Sequence, residues 1–230
     1  MLLALLVVFA GLLAIAPNDR ADWVLENALL FLGVAVLVLT SRKLPLSRVS
    51  YTLIFVFLCL HSIGAHYTYS EVPYDEWFAA VTGRTLSSLT GAGRNHYDRL
   101  VHLAYGLLLA YPIREVFLRV AAVRGFWGYY LPLDVTMATS MLYELIEWGA
   151  AVLLGGGLGV AYLGSQGDPW DAHKDMALAT LGACVAMLVT AALNWRYQRD
   201  FAREWADSLR VKQHRPLGED ELRRLMREDE

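Results

Sequence analysis

Asp98 and His102 stand four residues apart, Asp171 and Asp175 four apart, and Glu144 and Glu147 three apart. Residues at these separations share one face of an α-helix, so each pair would form a two-pronged polar face. The segment HSIGAHYTY adds His61 and His66, and NHYDRLVH adds Asn95 and His96. Imidazoles and carboxylates converging from facing helices suit a divalent ion such as zinc, manganese or iron. The candidate ligands are His61, His66, Asp98, His102, Asp171 and Asp175, and the expected cofactor is a divalent metal, zinc or manganese. An ion held there would activate water, with Glu144 or Glu147 as the catalytic general base. Tyr67, Asn95 and Lys174 lie beside the set in sequence and are the candidate substrate contacts. The spacing is neither a zincin nor a di-iron pattern, since no histidine follows Glu144 or Glu147 in E-x-x-H spacing and H-E-x-x-H is absent.

The elements that must position these groups are apolar. With 56% hydrophobic residues, 19% charged and a mean hydropathy of +0.36 over 230 residues, the composition excludes an ordinary soluble domain. The fold class is all-α, a polytopic membrane helical bundle of about six transmembrane helices. A helix needs roughly 20 apolar residues to cross the hydrocarbon core, and six segments approach that length, at about 1–16, 23–40, 49–69, 98–118, 130–154 and 173–195. The first ends at Pro17 and has neither a basic leader nor an A-x-A cleavage site, so it reads as a retained span. Residues 1–195 form the transmembrane domain and 196–230 a charged helical tail.

Cations set the orientation, because Lys and Arg beside short loops stay in the cytoplasm. Arg42, Lys43 and Arg48 follow span two, Arg114, Arg119 and Arg124 follow span four, and Arg196, Arg199 and Arg203 open the tail. The opposite side offers Arg20, Arg84, Arg94 and Lys174. Both termini are therefore expected in the cytoplasm, with the His/carboxylate groups near the outer face of the inner membrane. The net charge of −3 provides no basic face and excludes a nucleic-acid partner. Cys59 and Cys184 sit in apolar runs and read as small hydrophobic side chains.

Residues 70–96, with Pro73 and the TGAGRN run, read as a long loop. GGGLGVAYLGSQGDPWDAHKD matches no phosphate-binding fingerprint and reads as a re-entrant or tightly folded loop, with Asp168 or Asp171 capping the last span. HRPLGEDELRRLMREDE predicts a solvated helix after Pro216.

The segments HSIGAHYTY, NHYDRLVH, YELIEW and YLGSQGDPWDAHKDM resemble the YjdF-type family of bacterial inner-membrane proteins over residues 50–190. More distantly, DRLVH, the acidic pair and DAHKDMALATLGA are similar in order to the VanZ-like pattern of DK-x-x-H, an acidic pair and D-x-x-x-N-x-x-G. On that likeness Asp98, His102, Glu144, Glu147, Asp171, Asp175 and Gly182 are the matching positions, and a role in the cell envelope and glycopeptide tolerance is implied. Arg99 replaces the lysine of that pattern, and Asp175 stands where asparagine is usual.

Three functions compete, beside a structural reading in which the polar groups only hold the bundle together by hydrogen bonds. The first is a metal-dependent intramembrane hydrolase of a lipid or lipid-linked substrate. The second is a non-catalytic envelope factor binding a lipid headgroup or amphiphile. The third is a small proton-coupled transporter, which would need polar residues to continue toward the cytoplasmic half. The expected partner is a membrane lipid or lipid-linked small molecule, and nothing in the sequence fixes the oligomeric state.

Overall fold

The computed structural model describes residues 1–90, 93–212 and 217–228. Among them the regular elements are helices: α1 (Leu2–Leu13), α2 (Arg20–Thr40), α3 (Arg48–His66), α4 (Tyr74–Thr82), α5 (Leu86–Thr90), α6 (Tyr97–Val120), α7 (Trp127–Leu154), α8 (Gly156–Leu163), α9 (Asp171–Tyr197), α10 (Phe201–Ser208) and α11 (Leu217–Glu228). Five of these, α2, α3, α6, α7 and α9, are long and apolar enough to cross a membrane. α1 has 12 residues, a rise of about 18 Å, short of the roughly 30 Å hydrocarbon core. The first expected span is thus a shorter apolar helix, ended by Ala16 in the left-handed region (φ 53) and by Pro17.

Local chemistry starts and stops the helices. Asp19 caps α2 by accepting from the backbone N–H groups of Ala21 and Asp22, and Ser47 caps α3 by accepting from Ser50. Gly83, in the left-handed region at φ 75, closes α4. The outer faces remain apolar: Leu39 is 79% exposed, Leu153 87% and Leu188 69%. Apolar area of that extent suits lipid rather than water.

α6 and α9 form the central seam. Gly106 and Gly182 face the opposite backbone, and a Cβ on either would strike it, at Ala179 and Leu103 respectively. Small residues at such positions let membrane helices approach closely, and Ala110, Ala183 and Ala186 continue the seam as buried core with Tyr129 and Met187. α7 packs on both α6 and α9, and α3 packs on α6. α1 and α2 lie against α3, while α8 joins α7 to α2. Helices α2, α3, α6, α7 and α8 therefore form a ring.

One end of the bundle gathers the basic stretches. Arg119 donates to the carbonyl of Pro45, and the backbone N–H of Ser47 donates to Glu115 at 2.8 Å. The first helix of the tail, α10, docks here. Trp205 and Phe201 of α10 pack on Tyr129, and Trp127 Nε1 donates to the Ser208 carbonyl at 2.9 Å. α11 covers part of the expected tail helix, while Pro216 and the sixth histidine, His214, lie outside the described residues.

The opposite end is built from loops that carry structure. The 70–96 stretch, expected as loop, contains α4 and α5, and Gly91 and Ala92 of the TGAGRN run lie outside the described residues. The Gly-rich stretch forms α8 rather than a re-entrant loop, and Gly159 lets it lie on α7, where a Cβ would meet the Ala151 carbonyl at 2.7 Å. Neither expected aspartate caps α9, whose N-cap is Trp170. Asp168 instead accepts from the Trp170 N–H at 3.1 Å.

Candidate functional site

The start of α6 and the start of α9 meet at this second end. Asp98, His102 and Asp175 each offer one donor atom, and the three atoms lie within 4.8 Å of one another. The i, i+4 step on α6 sets Asp98 and His102 on one line, with His102 Nε2 3.5 Å from Asp98 Oδ1. From α7, Glu144 Oε1 stands 3.6 Å from the same imidazole nitrogen. Both gaps exceed a normal N–H···O bond. The Asp98–His102 gap matches the roughly 3.3–3.5 Å between two donors that share a tetrahedral ion at about 2.0–2.2 Å. Asp175 Oδ1 and Glu144 Oε1 are buried and find no hydrogen-bond partner. Buried oxygens without partners are costly, and a cation or proton is what such a group accepts.

Asp171 belongs to a different group. Arg94 clasps it in a two-point contact at 2.6 and 3.1 Å, and Arg99 reaches it at 3.1 Å. Asp168 takes Arg99 at 2.6 Å and Lys174 at 2.5 Å, with Arg94 at 3.6 Å. Three cations thus surround two carboxylates, and the expected role of Asp171 as a metal ligand gives way to paired guanidinium groups. The Lys174 ammonium, the Trp170 N–H and Arg99 together hold the Asp168 carboxyl down at about 2. Burial, then the charges of Arg99 and Arg94, push the His96 imidazole below its ordinary value.

The other sequence candidates separate by partner. His66 Nδ1 lies 2.6 Å from the Leu13 carbonyl, tying α3 to the end of α1, so it is engaged in packing rather than ligation. Thr68 and Tyr69, both in the left-handed region at φ 55 and 44, turn the chain back after α3. Tyr69 then lies over Gly64, where a Cβ would meet its ring at 2.5 Å, and its hydroxyl meets His61 Nδ1 at 2.5 Å. His61 is therefore buried between Tyr69 and the backbone of Glu26 on α2. His173 is exposed against Trp170, because it falls on the face of α9 away from Asp175.

The expected substrate contacts are occupied as well. Tyr67 stacks edge-on with His66 and Trp77. Asn95 serves the loop: its amide donates to the Val72 carbonyl at 2.9 Å, and its backbone pairs with Gln166. Lys174 is bound to Asp168.

Glu147, three residues from Glu144 on α7, reaches both the Glu144 carboxylate and Tyr143, and so joins the His102 group to the ring of helices. There the sequence reading missed a pair with the same i, i+4 spacing as the others, Asp22 and Glu26 on α2, which are 1% and 5% exposed. Glu26 accepts from the Tyr143 hydroxyl at 3.1 Å. Tyr143 also meets the Glu147 carboxylate and the Tyr162 hydroxyl. Arg94 was the second omission, since its partner lies 77 residues away and no local spacing announces it.

Residues 1–196 match a family described as "Predicted membrane protein (DUF2238)". The chain is similar to "Inner membrane protein YjdF" of Escherichia coli (strain K12), at 36% identity over 200 residues, covering 86% of this chain and 90% of that protein. No solved structure matches. A match over nearly the whole membrane-embedded part, joined to the helical bundle and its apolar outer faces, places this integral membrane protein in one group: the chain belongs to the DUF2238 family of membrane proteins.

Proposed function

We propose that the protein resides in the inner membrane and hydrolyses a lipid or lipid-linked substrate with a divalent ion, zinc or manganese, held by Asp98, His102 and Asp175. The observation that carries this reading is the convergence of those three donor atoms within 4.8 Å beside the unpartnered Glu144 Oε1. Three protein ligands leave a fourth position for water or substrate, the arrangement of catalytic rather than structural sites. A divalent ion there would lower the pKa of bound water and polarise the acyl or phosphoryl oxygen.

Glu144 is the general base. Its carboxylate accepts the proton of the attacking water, the water oxygen bonds to the acyl or phosphoryl centre, and the departing alcohol oxygen takes that proton. His61, His66 and Asp171 have no part in the ligand set, for the reasons their partners give. The positive surplus of Arg94, Arg99 and Lys174 over Asp168 and Asp171 would lie at the mouth of this site, where it favours an anionic group on the incoming molecule.

Elemental analysis of protein purified without chelators tests the proposal. About one zinc or manganese per chain is expected, falling below a tenth of that in Asp98→Asn, His102→Gln and Asp175→Asn. Glu144→Gln should keep the ion and lose hydrolysis by about 10²-fold or more, the usual scale for a general base. Protein without stoichiometric metal would overturn the reading in favour of plain binding of a lipid headgroup or amphiphile.

A further inference from the structure

The ring formed by α2, α3, α6, α7 and α8 encloses a second polar group that the hydrolytic reading does not use. Asp22 and Glu26 enter from α2, Glu147 from α7, and the tyrosines 69, 143 and 162 from the turn after α3, from α7 and from α8. Glu26 lies within electrostatic reach of Asp22 and bonds Tyr143, and the charges of Glu26 and Asp22 both fall on Tyr162. All three carboxylates are buried, and among the described residues no lysine or arginine forms an ion pair with them. A further atom points to a missing ligand: Asp22 Oδ1, on a residue 1% exposed, is buried without a hydrogen-bond partner.

The chemistry narrows the occupant. Nucleic acids, anions and apolar chains are disfavoured by three carboxylates. A second metal fits poorly, because the described carboxylates and histidines here do not bring three donor atoms within 4.8 Å as Asp98, His102 and Asp175 do. A wider cation remains. Carboxylates backed by aromatic rings are the surroundings in which organic ammonium groups are recognised, through charge and the ring faces together. Glu144 and Glu147 are three residues apart on α7, a rise of about 4.5 Å, so an ammonium beside Glu147 would sit roughly one helical turn from the His102 group. That is the scale on which an aminoethyl phosphate separates its nitrogen from its phosphorus.

We propose that Asp22, Glu26 and Glu147, walled by Tyr69, Tyr143 and Tyr162, bind the ammonium group of a lipid headgroup. This names the substrate class for the hydrolytic site and rests on that reading only in taking the bound lipid for a substrate.

Full-length protein in detergent is titrated calorimetrically with dihexanoyl phosphatidylethanolamine, phosphatidylcholine and phosphatidylglycerol, which differ only in headgroup. At least one of the two ammonium lipids should bind tenfold or more tightly than phosphatidylglycerol, and their order tells whether a primary or a quaternary nitrogen is preferred. Glu26→Gln should erase the preference; if that variant fails to accumulate, Tyr162→Leu removes one wall without changing charge and should weaken it severalfold. Asp175→Asn should lose metal yet keep the preference, so that failure of the metal site and failure of the ammonium site are read separately in one set of samples. Equal affinity for all three lipids, or a preference that survives Glu26→Gln, overturns the proposal.

Discussion

Asp171 and Asp175 look interchangeable in sequence, one helical turn apart on the same face, yet they sit in opposite electrostatic company. Arg94 and Arg99 neutralise Asp171, whereas an oxygen of Asp175 has no partner. The spacing made the pairs visible, but spacing along one helix says nothing of what a distant loop delivers, and Arg94 comes from such a loop. Counting histidines misled for a related reason: His96 and His173 stand close to the site in sequence, and helix phase turns His173 outward. Asp22 and Glu26 were legible by the same i, i+4 rule but lie where acids commonly flank a span. Asp168 permits a pH test. Its carboxyl is held near 2 against an ordinary 3.8, so its contribution to stability is complete above about pH 4 and disappears as pH falls through about 2. Asp168→Asn should therefore lower the melting temperature at neutral pH, and its gap from the parent protein should close between about pH 4 and pH 2. A gap unchanged at pH 2 would contradict the role given to Lys174, Trp170 and Arg99.

Five of the six expected spans were readable from apolar run length, because a bilayer imposes a nearly fixed span, while the first is a shorter helix. What run length could not supply was which helices touch. The α6–α9 seam depends on Gly106 and Gly182, and nothing in a hydropathy profile separates them from Gly33, which faces open space. This difference gives a direct comparison. Gly106→Ala and Gly182→Ala should each destabilise the protein by about 1–3 kcal/mol, the usual scale of overpacking, and should also reduce bound metal, because His102 lies one turn from Gly106. Gly33→Ala should be neutral or gain up to about 1 kcal/mol. Thermal unfolding in detergent, read beside metal content, checks both halves. Similar behaviour of all three variants would mean the seam does not set the site. α8 was the other surprise: six glycines between 155 and 167 suggested loop, but the apolar residues among them have α7 and α2 to pack against, and tertiary contact outweighs propensity.

For the whole molecule, the basic stretches after α2 and α6 and at the close of α9 gather at one end and the His/carboxylate groups at the other. By the positive-inside rule, the basic end is expected in the cytoplasm. Cysteine substitutions at positions 43 and 122 should react with a membrane-impermeant maleimide only in inverted vesicles, and those at 83 and 156 only in intact cells stripped of their outer membrane. The reverse labelling would overturn the orientation. The docked tail has a mechanical side. α10 staples the α6–α7 turn to the exit of α9 through Trp205, Phe201 and Ser208, and the glycine seam holds α6 to α9 just below the His102 group. The three helices behave like tweezers welded at the grip, with almost no play between the blades that carry Asp98, His102 and Asp175. Exchange at the donor trio would then leave the spacing of Asp98, His102 and Asp175 fixed, and any give would fall to the helices outside this clamp.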